Sequence, residues 1–430
     1  MTLKDYDTVL GINERNLRYV GEYNAPRFIR TANNKIATKK LLGEAGISVP
    51  ETYLIIRRRE TLASLDAAAL QNSFVIKPNK GFGGMGVLIV YAKKKGGDGV
   101  WVKSNRNKIT MVDIKNHIMD ILDGTYSLAQ KQDSAFFEER IKLLPIFKPL
   151  AYRGIPDIRV IVFNRVPVMA ELRLPTKESN GKANLHLGGI GVGIDMANGI
   201  TTNAIQHDQL IDYIPETRTL LAGFRIPSWK KILETAIAAQ TMSSLGYAGV
   251  DIALDRDKGP MVLEVNARPG LAIQIANLSG LRDRLERIKG LKVKTIDQGV
   301  RLAQDLFGGE IEQELEEISG KKIVGVITTI MITQNALNKE LRAKLDTGAY
   351  FSSIDRELAD SLGLNQFKRT VKVKSSLGEE ERDLVDVNFI LDGRPINTQF
   401  SLAERGNLRF PVIIGRRDLR GFLIDPKKLH

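Results

Sequence analysis

Two β-branched runs flank a glycine-rich loop in residues 74–95, FVIKPNKGFGGMGVLIVYAKKK, and this order constrains the fold more than any other stretch. Gly81, Gly83 and Gly86 give the G-x-G-x-x-G spacing of a dinucleotide-binding turn. That turn needs a helix after the glycines, because the helix N-terminus holds the pyrophosphate. Here VLIVYA follows Gly86, and short β-branched runs form strands. The acidic residue expected about 20 positions on is also missing, since WVKSNRNK occupies 101–108. Val87 stands where a Walker loop has Lys-Ser or Lys-Thr. The H-R-D and D-F-G motifs of a kinase do not occur. What remains is a hairpin whose bare amides either close over a triphosphate or face solvent. Lys77, on the entering strand, favours phosphate.

A second stretch, VDIALDRDKGPMVLEVNARPG, reads as another hairpin over 249–266, with Asp257, Lys258 and Gly259 at its turn. Glu264 and Asn266 are two apart on a strand and share a face. Folding about 257 and 258 sets Asp251 opposite Glu264. Three oxygen-bearing side chains on one patch suit Mg²⁺ bridging nucleotide phosphates. The plainer alternative is a polar sheet face, but adjacent unpaired carboxylates repel. Arg268 follows at once, placed to hold a phosphate or acyl phosphate.

The absence of cysteine excludes disulfides and cysteine-ligated zinc, and four histidines leave little for metal chemistry of that kind. No apolar run approaches the ~18 residues of a membrane helix, so the expectation is a soluble, cytoplasmic protein without membrane contact. The net charge of +13 suits nucleic acid or a phosphorylated ligand. The basic runs are short and lack interleaved aromatics, so no nucleic-acid partner is expected.

At about 150 residues per domain, 430 residues make two or three domains. KIATKKLLGEAG, 35–46, spaces its apolar residues as a helix, and 229–245 does the same. Residues 158–173 read as two strands around Asn164 and Arg165. From Gly308 the chain turns acidic (GGEIEQELEEISGKK), which reads as a connector, and short strands with turn signals SSLGEE and LDGRP follow. The expected organisation is 1–307, a linker 308–322 and a small β domain 323–430.

NNKIATKKLLGEAGISVPETY, FVIKPNKGFGGMGV, FFEERI, PDIRV, NLHLGG and VDIALD…LEVNARPG together resemble the ATP-grasp superfamily over about residues 5–305. The resemblance looks closest to the α-L-glutamate ligases. It implies ATP with Mg²⁺ (or Mn²⁺), an acyl phosphate, and an amide formed with an amine. By resemblance Lys35 and Lys77 contact phosphates, and Gly81, Gly83, Gly84 and Gly86 belong to the lid. Glu138, Glu139 and Ile141 line the adenine pocket, and Asp157 sits near the ribose. Asp251, Glu264 and Asn266 bind two metal ions, while Arg173 and Arg268 face the transferred phosphate. Asn184 and His186, in a polar loop, are candidates for substrate binding. The implied substrates are an amino acid such as glutamate and a peptide, protein or small acid. Such ligases carry a sizeable domain before the segment matching Lys35, and here a short basic piece stands there.

LRAKLDTGAYFSSI (341–354) and FPVIIGRRDL (410–419) resemble retropepsin-like aspartic proteases, and within them the small family called ATP-dependent zinc proteases. Zinc needs three or four ligands, but 323–430 hold no cysteine and one histidine, His430. Aspartic protease chemistry needs two carboxylates sharing a proton. One D-T-G per chain implies a homodimer with Asp346 from each copy on the axis, and SSLGEEER (375–382) as flap. The expected fold class is α+β: an ATP-grasp fold followed by a small all-β retropepsin-like barrel. The competing reading is a nucleotide-binding regulatory or peptide-binding protein whose protease-like domain is inactive.

Overall fold

The computed structural model of the chain describes residues 7–94, 99–103, 106–127, 130–308, 321–333, 338–364, 367–375, 378–404, 409–426 and 428. Two compact units emerge, Met1–Gly309 and Glu310–His430. Apart from its ends, the expected connector 308–322 lies outside the described residues.

In the first unit, helix α1 (Lys35–Glu44) starts where the Asn34 side chain accepts from the Ala37 amide. An antiparallel sheet then assembles from β1 (Thr52–Ile56), β2 (Phe74–Pro78), β3 (Leu88–Lys93), β4 (Val100–Lys103), β5 (Lys108–Thr110) and β6 (Ala135–Glu138), in the order β1-β6-β2-β3-β4-β5. β2 and β3 pair directly, Phe74 opposite Val90, so the glycine loop joins neighbouring strands as expected. Helix α2 (Met111–Leu122) opens with a Thr110–Asp113 capping box. Its Ile114, Ile118 and Ile121, at helical spacing, enter a core with Phe74, Trp101 and Phe137.

A second antiparallel sheet has the order β11-β10-β9-β8-β7-β12-β13. Its strands are β7 (Asp157–Phe163), β8 (Val166–Leu174), β9 (Ile190–Ile194), β10 (Thr201–Gln206), β11 (Gln209–Ile211), β12 (Tyr247–Asp255) and β13 (Gly259–Asn266). Asn164 and Arg165, both at positive φ, make the tight β7–β8 turn. Helices α3 (Trp229–Met242) and α4 (Ile296–Phe307) pack on this sheet, with Ile232, Ala236 and Val300 buried against Val160 and Val162.

The β12–β13 hairpin turns tightly, with Asp255 opposite Gly259. Continued without a break, that register would put Leu263 opposite Asp251. A bulge between Asp251 and Ile252 shifts the ladder, and Asp251 stands opposite Glu264. The expected pairing is present, reached by a turn centred on Asp257, half a residue earlier than expected, plus a bulge.

Among its described residues, the second unit is all-β apart from a short helix Arg356–Ser361. After β14 (Lys322–Gly325) come β15 (Ile327–Ile332), β16 (Lys339–Asp346), β17 (Ser352–Asp355), β18 (Phe367–Ser375), β19 (Gly378–Leu391), β20 (Arg394–Ala403), β21 (Val412–Gly415) and β22 (Phe422–Asp425). The order β15-β16-β21-β17-β20-β19 closes on itself through a β15–β19 pairing. Ile330, Ile354, Phe389, Phe400 and Val412 fill the interior. Asp392 and Gly393, both at positive φ, make the β19–β20 turn that LDGRP signals.

Candidate functional site

A cleft of about 420 Å³ takes its walls from both sheets of the first unit, from the glycine loop and from the loop at 181–186. Of the residues singled out there for nucleotide, metal or phosphate, all line it except Gly86 and Arg268. One part of the wall is apolar, with Val75, Ile89, Ile141, Ile155 and Leu263. The bulge accounts for two consecutive residues, Leu263 and Glu264, both reaching the cleft.

Lys77 and Glu138 sit diagonally across β2 and β6, since Val75 pairs with Glu138 and Lys77 with Phe136. Long side chains span that diagonal, and their charged ends meet at 2.5 Å. Lys39, one turn into α1, reaches the other carboxylate oxygen at 2.7 Å. Burial works against the charge on Glu138, but the two ammonium groups outweigh it and hold its pKa below the ordinary value. Glu138 is therefore a buried clamp for two lysines, not a solvated charge. Glu139 is bound at the hairpin tip, with Lys258 Nζ 2.6 and 2.7 Å from its two oxygens.

Lys35 opens α1, and its Nζ donates to the Gly81 carbonyl at 2.6 Å and lies 3.5 Å from Glu264. The loop is tied at two further points. Asn184 Nδ2 donates to the Gly83 carbonyl at 2.8 Å, and His117 Nε2 to that of Gly86 at 2.9 Å. Gly86 has φ +71°, and a Cβ there would lie 2.6 Å from the Tyr126 ring. Gly86 is thus the anchored end of the glycine loop, and Gly83 and Gly84 face the cleft.

On the floor, four strands carry one row of charge: Glu171 opposite Arg159, Arg159 opposite Asp251, Asp251 opposite Glu264. Arg159 Nε and Nη2 bind the two oxygens of Asp251, each at 2.7 Å. Arg173 Nη2 adds a contact to Asp251 at 2.8 Å, while its Nε binds Asp157 at 2.6 Å. Burial opposes the charge on Asp251, yet Arg159 and Arg173 hold its carboxyl well below the usual range. At Asp157 burial wins over Arg173, helped by the charge of Asp251, and the pKa rises. Asp157 is engaged with Arg173 on the floor.

Asn266 Nδ2 donates to Glu264 at 2.9 Å and to Asp251 at 3.3 Å. A positive dipole end thus lies between two carboxylates, where a hard cation would find oxygen donors. Turning the amide over brings its oxygen to the same place. The donor set fits Mg²⁺ or Mn²⁺, although Asp251 is bound here by guanidinium groups.

Arg268 is exposed and away from the cleft wall. Arg159, which lies inside PDIRV but was given no role by sequence, lines the cleft. Its partner strand β12 is some ninety residues distant in the chain, so no local pattern announces the contact.

In the second unit, Asp346 ends β16 opposite Gly415 of β21. Its Oδ1 accepts from the Gly348 and Ala349 amides at 2.9 and 3.3 Å, which folds D-T-G-A back on its own carboxylate. Asp418, after the VIIGR segment, accepts from Ser352 Oγ at 2.5 Å and Thr398 Oγ1 at 2.7 Å. The expected flap falls on the β18–β19 hairpin, whose tip at 376–377 lies outside the described residues.

Two family models match the chain: sugar-transfer associated ATP-grasp over residues 14–290, and aspartyl protease over 330–416. Among solved structures, the D-alanine–D-alanine ligase of Bacillus anthracis with ATP is similar at 17% identity, over 64% of this chain and 68% of that one, with a TM-score of 0.35. The ATP-grasp ligase PsnB with its minimal precursor is similar at 18% identity, over 62% of each chain, with a TM-score of 0.32. A Legionella pneumophila protein of unknown function matches 24% of this chain and 92% of its own, at 21% identity and a TM-score of 0.18. No curated protein matches.

Proposed function

The chain belongs to the sugar-transfer associated ATP-grasp family, and from that membership and its cleft we propose an ATP-dependent carboxylate–amine ligase. The observation that carries this reading is the cleft itself: one cavity joins an apolar wall to a lysine-and-carboxylate floor beneath a glycine lid. The apolar wall suits a purine, and the floor suits phosphates. A carboxylate is a poor electrophile. Transfer of the γ-phosphate to it gives an acyl phosphate, and an amine then displaces phosphate to leave an amide.

Lys35, Lys77 and Arg173 neutralise charge as it develops on the transferring group. Mg²⁺ or Mn²⁺ on Asp251, Glu264 and Asn266 would supply a fixed positive charge between the phosphates. The Gly81–Gly86 lid excludes water, and the 181–186 loop with Asn184 and His186 borders the acceptor. The substrates proposed are an amino acid such as glutamate and a peptide or small acid. For the second unit we infer an aspartic peptidase shared between two copies, on the strength of the D-T-G turn in a closed barrel. Among the described residues no helix is long and apolar enough to cross a membrane. ADP release with a panel of amino acids and acidic peptides tests the ligase, and no stimulation by any acceptor would sink it.

A further inference from the structure

Glu171 has no part in the chemistry above, yet it completes the charge row on the cleft floor. It is 2% exposed. Among the described residues nothing donates a hydrogen bond to its Oε2. A buried carboxylate oxygen without a donor is costly, so its partner must be sought. The strand on one side offers none, because Gly193 of β9 stands opposite and has no side chain. On the other side stands Arg159.

Arg159 is spent elsewhere, with two of its nitrogens on Asp251. A third guanidinium contact, from Arg173, leaves neither oxygen of Asp251 free of positive charge. A divalent cation taking Asp251 would meet two guanidinium groups in a buried site, and like charges there repel strongly. Arg173 keeps Asp157 as a second carboxylate. Arg159 has one unused carboxylate within its row, and that is Glu171.

We propose that Glu171 is a positioning residue that receives Arg159 when a divalent cation binds Asp251, so that the guanidinium moves between the carboxylates on either side of it. In the ligand-free state Arg159 stands in for the cation and keeps Asp251 charged and oriented. With the cation bound, Glu171 holds the displaced guanidinium. No bond forms or breaks in the exchange except ion pairs and hydrogen bonds. The inference rests on the metal site proposed above.

The test is Mn²⁺ titration of the full chain with ADP present, following free Mn²⁺ by its electron paramagnetic resonance signal. Glu171→Gln should weaken Mn²⁺ binding roughly tenfold or more, as loss of a supporting partner around a metal does. ADP affinity measured in EDTA should stay unchanged. Glu171→Asp keeps an anion and should retain most of the Mn²⁺ affinity. Adding Arg159→Met to Glu171→Gln removes the group that needs a home, and Mn²⁺ affinity should return toward wild type, which mere damage to the fold would not produce. Equal Mn²⁺ affinity in wild type and Glu171→Gln, or a double variant no better than the single, overturns the exchange. A wild-type chain that binds no Mn²⁺ overturns the metal site as well.

Discussion

Arg159 and Asp251 face each other across β7 and β12 and are joined at two points, Nε to Oδ1 and Nη2 to Oδ2, both at 2.7 Å. Removing one partner of such a buried pair typically costs about 3–5 kcal/mol. Arg173 still holds Asp251, so Arg159→Met should fall at the lower end in urea unfolding at neutral pH. The carboxyl of Asp251 is held low in the folded state. Its contribution is therefore present above the unfolded value of about 3.9 and fades as pH falls through the folded one. The gap between wild type and Arg159→Met should narrow in acid.

Glu138 offers a comparable test nearer the lid. Glu138→Gln leaves Lys39 and Lys77 without their shared anion. Stability should drop by about 3 kcal/mol, read as a shift in the denaturant midpoint. Glu138→Leu with Lys39→Met, apolar at both buried positions, should recover part of the loss. A double variant worse than both singles would contradict this account of the clamp.

His117 gives the lid a pH dependence. Burial lowers its pKa although the bond to the Gly86 carbonyl opposes this. The folded chain thus takes up a proton less readily than the unfolded chain. The His117 contribution to stability should decline as pH falls below about 6.5 toward the lowered folded value, and be flat above it. His117→Gln should remove that slope between pH 7 and 5. An unchanged slope would place its origin elsewhere.

The two ends of the lid should respond differently to substitution. Gly86→Ala drives a methyl group into Tyr126, whereas a Cβ at Gly83 meets only Asn184 Nδ2, at 3.4 Å. Both glycines have positive φ, so each alanine carries about 1–2 kcal/mol of backbone strain. Gly86→Ala should be the more damaging in thermal unfolding, and Tyr126→Ala should relieve it in part. Asn184→Ala, which frees the Gly83 carbonyl, should raise hydrogen exchange over 81–86 and weaken nucleotide binding by up to about tenfold, the worth of one hydrogen bond.

Much of the site was legible because strands have a period of two and their turns carry signals. The Asn164–Arg165 turn and the strand after Gly86 follow from spacing alone, whereas the facing of Asp251 and Glu264 also needs a bulge. The bulge at Leu263 was not legible, because no residue there demands it. Arg159 was missed because its partner Asp251 lies on a strand distant in sequence, and such pairing leaves no local mark. Glu171 stands opposite Arg159 within the β7–β8 hairpin, but its place in the row follows only from that distant contact. Glu138 was placed at the pocket by resemblance and not by local pattern, because its burial depends on Lys39 and Lys77, which come from α1 and β2.

For the second unit, peptide cleavage should be favoured in acid and lost in Asp346→Asn, and sedimentation of the full chain should show a dimer. A strictly monomeric chain would rule out a dyad shared between copies.

The most direct test of the central claim is ADP release by the full chain with ATP, Mg²⁺ and a panel of amino acids and acidic peptides, for wild type and for Asp251→Asn with Glu264→Gln. The account predicts acceptor-stimulated release in wild type and its loss in the double variant. Full turnover by the double variant, or no stimulation of wild type by any acceptor, would contradict it.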